Sequence, residues 1–336
     1  MSTRLRFDAN ILPMYFPDVH PPFPDYFQQV LDEITLAERL GFECFWFTEH
    51  HFLLYGGPIP NPAVFLAAAA GRTSKIRLGS AISIIPLRHP LQTAEDYAMV
   101  DAVSGGRLDF GAGRGNVQLD YDVYEIDREE SRARFEEAME IIADAWSTDS
   151  ASHHGAFWNF DNVGVYPRPA QQPPRIWVAA NSAESGAWAG RRGYDLMTIA
   201  HVRQPEEVRK GVNAWKEALA SGGHTGEHHC QLMLRVCIDR DGDKAERMAS
   251  HALDRWDELS HRGRPSTAEH VAPSAMSANG RLVYGSPEQC IECLHTSLAN
   301  FDFDTVAAVF NWGALPHEQV QDSMQLFAEE VIPAFR

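Results

Sequence analysis

Phe45-Trp46-Phe47-Thr48-Glu49-His50-His51-Phe52 joins a run of β-favouring aromatics to three consecutive ionisable side chains. Glu43–Thr48 reads as a strand, and Tyr55-Gly56-Gly57-Pro58 cannot continue it. Ionisable groups at the end of a buried strand are costly without partners. The octapeptide is therefore expected to form the lip of a functional site, and its surroundings decide which fold carries it.

Strands and helices alternate on both sides of it. Before it come a strand at Leu5–Asn10 and a helix over Tyr26–Leu40, striped by Phe27, Val30, Leu31, Ile34, Ala37 and Leu40 and stopped by Gly41. After it, Asn61-Pro62 opens a helix to Arg72, Ile76–Ile85 is a third strand, and Leu91–Val103 is a helix ended by Ser104-Gly105-Gly106. Arg107–Ala112 is the fourth strand, followed by an excursion rich in Asp and Tyr and a helix over Arg132–Trp146. Phe157–Tyr166 reads as an added hairpin. Further strands fall at Arg175–Ala180, Asp195–Ala200, Gln231–Ile238 and Asp304–Phe310, each with a helical stripe after it. Arg262–Tyr284 has no period and reads as an excursion loop before the last helix-strand unit; Ser286-Pro287-Glu288 then caps a helix running to about Leu298.

Eight strand–helix units without a linker predict an α/β chain whose residues 1–336 form one (β/α)8 TIM barrel, with a doubly wound sheet as the alternative. A barrel gathers its chemistry at the carboxyl ends of the strands. Those ends carry Asn10, Glu49-His50-His51, Ser83, Gly111–Gly115, Asn181-Ser182, Ala200-His201 and Asn311.

Against 29 Lys and Arg stand 46 Asp and Glu, a formal charge of −17. Such a surface disfavours nucleic acid and anionic membranes, so an anionic ligand needs a local positive site. The amino end lacks a signal-peptide core, and no apolar run reaches membrane length. Five cysteines, an odd number, fit a reducing compartment, and a cytoplasmic protein is expected. Cys290-x-x-Cys293 reads as two thiols on one helix face, and His224-x-x-x-His228-His229-Cys230 as a solvated loop.

Gly111-Ala112-Gly113-Arg114-Gly115-Asn116 fits a dinucleotide fingerprint badly, because it ends the fourth strand and no helix opens at once. Glycine there lets a flat ligand lie against the backbone, and Arg114 offers a fork to an anion. Asn181-Ser182-Ala183-Glu184-Ser185 begins a helix, so free amides and the hydroxyls of Ser182 and Ser185 suit a phosphate. Neighbouring residues on a strand face opposite ways, which disfavours His50 and His51 as joint metal ligands. A metal-free site with His50 as acid, base or hydrogen-bond donor and His51 as its support needs fewer assumptions. Phe47, Phe52, Tyr55 and Trp312 are candidates for an apolar wall.

Glu49-His50-His51-Phe52, Asn61-Pro62, His89-Pro90, Ala94-Glu95-Asp96, Gly105-Gly106-Arg107, Phe110-Gly111 and Arg114-Gly115 follow one another in an order and spacing that resemble the bacterial luciferase-like flavin monooxygenases. The similarity continues through Trp177–Ala183, Trp188-Ala189, Arg192-Gly193 and Gly285-Ser286-Pro287-Glu288, and is nearest in pattern to the catalytic luciferase subunit. The resemblance implies a barrel that binds reduced FMN from a separate flavin reductase, activates O2 as a flavin C4a-peroxide and oxidises a small apolar organic substrate, as a homodimer. It implies His50 as the catalytic histidine, Arg114, Ser182 and Ser185 as phosphate contacts, Asn181 as a backbone contact, and a cis peptide at Ala81-Ile82 under the flavin. Gly113 stands where the luciferases carry a reactive cysteine, which implies a wider or re-aimed pocket. The alternatives within this fold are a deazaflavin (F420)-dependent hydride-transfer enzyme and a non-catalytic flavin-binding partner subunit.

Overall fold

The computed structural model describes residues 4–201, 203–260 and 272–336. Its main sheet contains β1 (Arg6–Ile11), β2 (Cys44–Phe47), β3 (Arg77–Ser80), β4 (Ser83–Ile84) and β5 (Leu108–Gly113). A separate antiparallel hairpin, β6 (Ala151–His154) with β7 (Asn159–Val163), precedes β8 (Arg175–Ala179), β9 (Asp195–Ile199), β10 (Cys230–Ile238), β11 (Leu282–Gly285) and β12 (Thr305–Asn311). β12 pairs with both β10 and β1, and β9 with β10, all parallel. The sheet therefore closes into an eight-stranded barrel, with β3 and β4 as two pieces of one strand position. A doubly wound sheet would have left open edges.

The helices are α1 (Phe23–Leu40), α2 (Pro62–Ala70), α3 (Pro90–Ser104), α4 (Gln118–Val123), α5 (Ser131–Ser147), α6 (Ala183–Arg191), α7 (Pro205–Ser221), α8 (Gly242–Ser260), α9 (Pro273–Ser277), α10 (Pro287–Asn300) and α11 (His317–Leu326). None among the described residues is long and apolar enough to cross a membrane.

Strand alternation sorts the aromatics of the opening octapeptide. Phe45 and Phe47 turn outward, and the Phe47 ring lies 5.2 Å from Phe65 of α2. Trp46 turns inward, donates from Nε1 to Asp8 Oδ2 at 2.8 Å and meets Trp177 edge-on at 5.2 Å. Trp46, Trp177, Met197 and Ala307, with Met233 against them, plug the barrel. The barrel is thus a solid core, and the residues one step further along the inward faces form the floor of an open end.

Between β3 and β4 the ladder gives way. Leu78 and Gly79 pair with Leu108 and Asp109, whereas Ser83 and Ile84 pair with Ala112 and Gly113. In the gap the Ser80 hydroxyl donates to Gly111 O at 2.8 Å and accepts from Gly111 N at 3.0 Å, replacing ladder bonds. A β-carbon on Gly111 would stand 1.8 Å from Ser80 O, so only glycine admits this approach. The Ala81–Ile82 peptide in this gap is cis.

Two expectations shift. The hairpin starts earlier than Phe157, at Ala151. The excursion Arg262–Tyr284 lies partly outside the described residues, and its remainder is not a plain loop: α9 and the start of β11 fall within it, and β11 runs parallel to the end of β10 from Arg235–Leu282 to Ile238–Gly285. Met276, Leu282 and Val283 are buried there, in apolar runs too short to show a period among Gly, Pro and Ser. All five cysteines are free thiols, and Cys290 and Cys293 turn towards Gly285 O and Tyr284 O.

Candidate active site

The lip is organised by Glu49. Its carboxylate is 1% exposed and sits 2.9 Å from His51 Nε2, while Arg88 donates to it at 3.2 and 3.3 Å and the Ile84 N–H at 3.2 Å. A carboxylate only accepts, so the His51 proton is on Nε2. His51 Nδ1 lies 3.4 Å from the Tyr124 hydroxyl of the loop after α4. Buried, paired and hydrogen-bonded, Glu49 joins β2, β4 and the Arg88 turn into one support.

His50 is the unsupported member of the pair. Its Nδ1 is buried without a partner among the described residues, and its ring packs 5.3 Å from Tyr55. Burial lowers the imidazole to about 4, against the opposing pull of Glu49 and with a smaller push from His51. The ring is therefore neutral at physiological pH, one nitrogen able to accept and the other to donate. Gly56 makes room for it: at φ +74° its missing β-carbon would stand 2.3 Å from the His50 ring.

A second corner is positive. Arg114 follows β5 and donates to Ser131 Oγ at 3.4 Å, and it has no ion pair among the described residues. Arg132, in the first turn of α5, reaches Ser185 Oγ at 3.4 Å and pairs with Glu184 at 3.0 Å and Glu136 at 3.5 Å. Burial lowers the Arg114 guanidinium, and Arg132 lowers it further. Ser182 caps α6, accepting from Ser185 N at 3.3 Å and donating to Ser185 Oγ at 3.1 Å. Gly113, Arg114, Arg132, Val178, Ala179 and Ser185 line one recess. Asn181 precedes Ser182 in the chain, and its Oδ1 is buried without a partner among the described residues.

Arg132, which in the sequence is only the first residue of a helical stripe, joins Arg114 and Ser185 at this corner. Its spacing from Arg114 across the excursion carries no signal. Gly113 differs from expectation in its surroundings: a β-carbon there would meet Ile82 Cδ1 at 2.8 Å, so the Ile82 side chain fills the space that the glycine leaves.

The rest of the barrel end gathers polar atoms without partners among the described residues. Asn10 Nδ2 on β1, His201 Nδ1 after β9, and Arg235 Nη1 and Nη2 on β10 are buried and unsatisfied. Asn311 is not among them, because its amide turns to α1 and donates to Glu33 at 3.0 and 3.1 Å. Phe47 belongs to the outer core, Phe52 is on the exposed rim, Trp312 is fully buried, and Tyr55 is half-buried beside His50. Among the described residues, no three His, Cys, Asp or Glu side chains are grouped as metal ligands.

The family model for luciferase-like monooxygenases matches residues 11–305. The chain belongs to the luciferase-like monooxygenase family. Within that family it is 28% identical to the oxygenase component of a flavin-dependent trigonelline monooxygenase from Acinetobacter baylyi, over 92% of this chain and 90% of that one. It is 26% identical to the alkanal monooxygenase alpha chain of Photobacterium leiognathi, over 88% of this chain and 90% of that one. The crystal structure of monooxygenase RslO1 from Streptomyces bottropensis superposes with a TM-score of 0.91 at 30% identity, covering 99% of this chain and all of that one. This luciferase-like chain is accordingly a flavin-dependent monooxygenase by family, and the barrel end described above is where its chemistry is to be sought.

Proposed function

We propose that this chain is the oxygenase of a two-component system: it takes reduced FMN from a separate reductase, and O2, and oxidises an organic substrate in the cytoplasm. The observation that carries the reading is the recess lined by Arg114, without a carboxylate partner among the described residues, by Arg132 and by Ser185, whose hydroxyl accepts from that of Ser182 at the opening of α6. Two guanidiniums held together in a chain of net charge −17 call for a compact anion, and a phosphate ester supplies it. Glu184 and Glu136 hold Arg132 from exposed positions, and such pairs contribute only about 0.2–1 kcal/mol each, so a phosphate can compete with them. The cis Ala81–Ile82 peptide and Gly113, whose open side meets the Ile82 side chain, offer backbone against which a flat ring system can lie. The naming of a relative as an oxygenase component supports delivery by a reductase.

When bound, reduced FMN supplies the electrons for oxygen activation. The protein's share is positional. Arg114, Arg132, Ser182, Ser185 and the backbone at Asn181 hold the phosphate. His50, neutral and with a bare Nδ1, holds or moves a proton at the reacting edge, and Glu49 and His51 fix the backbone behind it. Tyr55 and Trp312 exclude water. We further propose a homodimer through α2 and α3, which pack together and expose Val64, Met99 and Val103. Charged residues at these three positions should yield a folded monomer; an unchanged sedimentation coefficient would dismiss this face.

Flavin fluorescence titrations separate the cofactor readings. FMN should bind more tightly than riboflavin and than the F420 deazaflavin. Arg114→Ala should weaken FMN on the order of 10- to 100-fold while leaving riboflavin unaffected. Equal loss of both flavins would remove the phosphate assignment, and tighter deazaflavin binding would favour hydride transfer.

A further inference from the structure

Arg235 has no role in the site described so far. It lies on the inward face of β10, paired in register with Val309 of β12, one step beyond Met233 of the barrel plug. It is 2% exposed. Its guanidinium carbon stands 4.3 Å from the Trp256 ring and 5.0 Å from the Trp312 ring. Stacking on indoles restores part of the hydration that burial removes. It leaves the in-plane N–H edge unserved: Nη1 and Nη2 are both buried and have no acceptor among the described residues.

Among the described residues the neighbourhood adds no carboxylate. The groups that Arg235 senses are the Tyr55 phenol and the Cys237 thiol, and both it and Arg281 act on His201, whose Nδ1 is likewise bare. Burial lowers the Arg235 guanidinium only to about 10, so it stays charged at neutral pH. Tyr55 connects it to the catalytic lip, because its ring packs 5.3 Å from His50.

We infer that Arg235 is a substrate-binding residue that receives the carboxylate of an organic acid, Trp256 and Trp312 keeping the guanidinium fork in one plane beside the His50 lip. A planar fork with two free N–H groups matches a carboxylate in geometry and charge. This deepens the oxygenase reading above and rests on it for the identity of the ligand as substrate. The apolar substrate expected from the sequence then becomes an amphiphile: a hydrophobic body with an acid group directed at β10.

The test compares benzoate, cinnamate and decanoate, each beside its primary amide, by tryptophan fluorescence on the full-length protein and on Arg235→Met and Arg235→Lys. In the wild type at least one carboxylate should bind on the order of 10- to 100-fold more tightly than its amide. Arg235→Met should erase that preference, and Arg235→Lys should keep part of it. Replacing an unpartnered buried charge by an apolar side chain of similar length should leave the melting temperature equal or higher, whereas a structural arginine would lower it. Amides equal to carboxylates in all pairs, a preference that survives Arg235→Met, or a lowered melting temperature would each overturn the assignment. FMN titrations on the same proteins read the flavin site separately: no FMN binding beside an intact carboxylate preference would contradict the flavin reading alone.

Discussion

A β-carbon on Gly56 would stand 2.3 Å from the His50 imidazole, so the position of the proposed catalytic ring depends on a residue six places further along the chain. Gly56 also adopts φ +74° and donates its N–H to Pro13 O at 2.6 Å, which fixes it against the turn after β1. Gly56→Ala must move the ring as well as strain the turn. It should lower single-turnover substrate oxidation about as far as His50→Ala does, roughly 10²–10⁴-fold for a lost proton-transfer group, while FMN affinity stays within about twofold. Activity near wild type in a folded Gly56→Ala protein would show that His50 tolerates displacement.

The pH response of His50 follows from its burial. Its folded value of about 4 lies below the ordinary 6.5, so the neutral ring is kept across the physiological range. Activity that needs this ring should run level from neutral pH down to about pH 5 and fall as pH approaches 4. The linked stability is fully present above pH 6.5 and is lost as pH falls towards 4, because the unfolded chain binds the proton first. A break in the activity profile near 6.5 that disappears in His50→Gln would contradict the account.

Asp8 has the opposite sign. It lies inside the barrel, where burial raises its carboxyl to about 7, with Arg6 and the Trp46 N–H pulling the other way. The folded state keeps this proton while the unfolded chain releases it near 3.8, so the contribution is full below 3.8 and is lost as pH rises through 7. Asp8→Asn retains an acceptor for Trp46 and removes the titration. Its stability relative to wild type should improve from pH 5 to pH 8, by no more than about 4 kcal/mol. Denaturation curves at the two pH values decide it, and a constant difference would mean that Asp8 does not titrate in this window.

The barrel was readable because its signals are periodic: helix stripes such as Val30-Ile34-Ala37 and the β-branched run before Pro86 each repeat over many residues. The Glu49-His50-His51 lip was readable from chemistry, since ionisable groups at a strand end need a reason. Contacts made by packing alone were not. Asn311 ends β12 as expected, yet a register shift between Asn10 and Ile11 on the neighbouring strand accompanies its turn outward to Glu33. His229 reads as solvated in a Gly-rich stretch but is buried, its Nδ1 3.3 Å from Asp304. Arg235 gave no signal, because an arginine in a strand pattern reads as a solvent-facing residue until closure of the barrel turns that face inward.

The central claim is that this barrel end holds reduced FMN by its phosphate and shields it while O2 reacts. Rapid mixing of anaerobic protein loaded with photoreduced FMN against oxygenated buffer, followed at the absorbance of oxidised flavin, addresses it in one trace. Oxidised FMN should appear after a lag and more slowly than from free reduced FMN, and Arg114→Ala should restore the fast course. A wild-type trace that overlays the free flavin would contradict it.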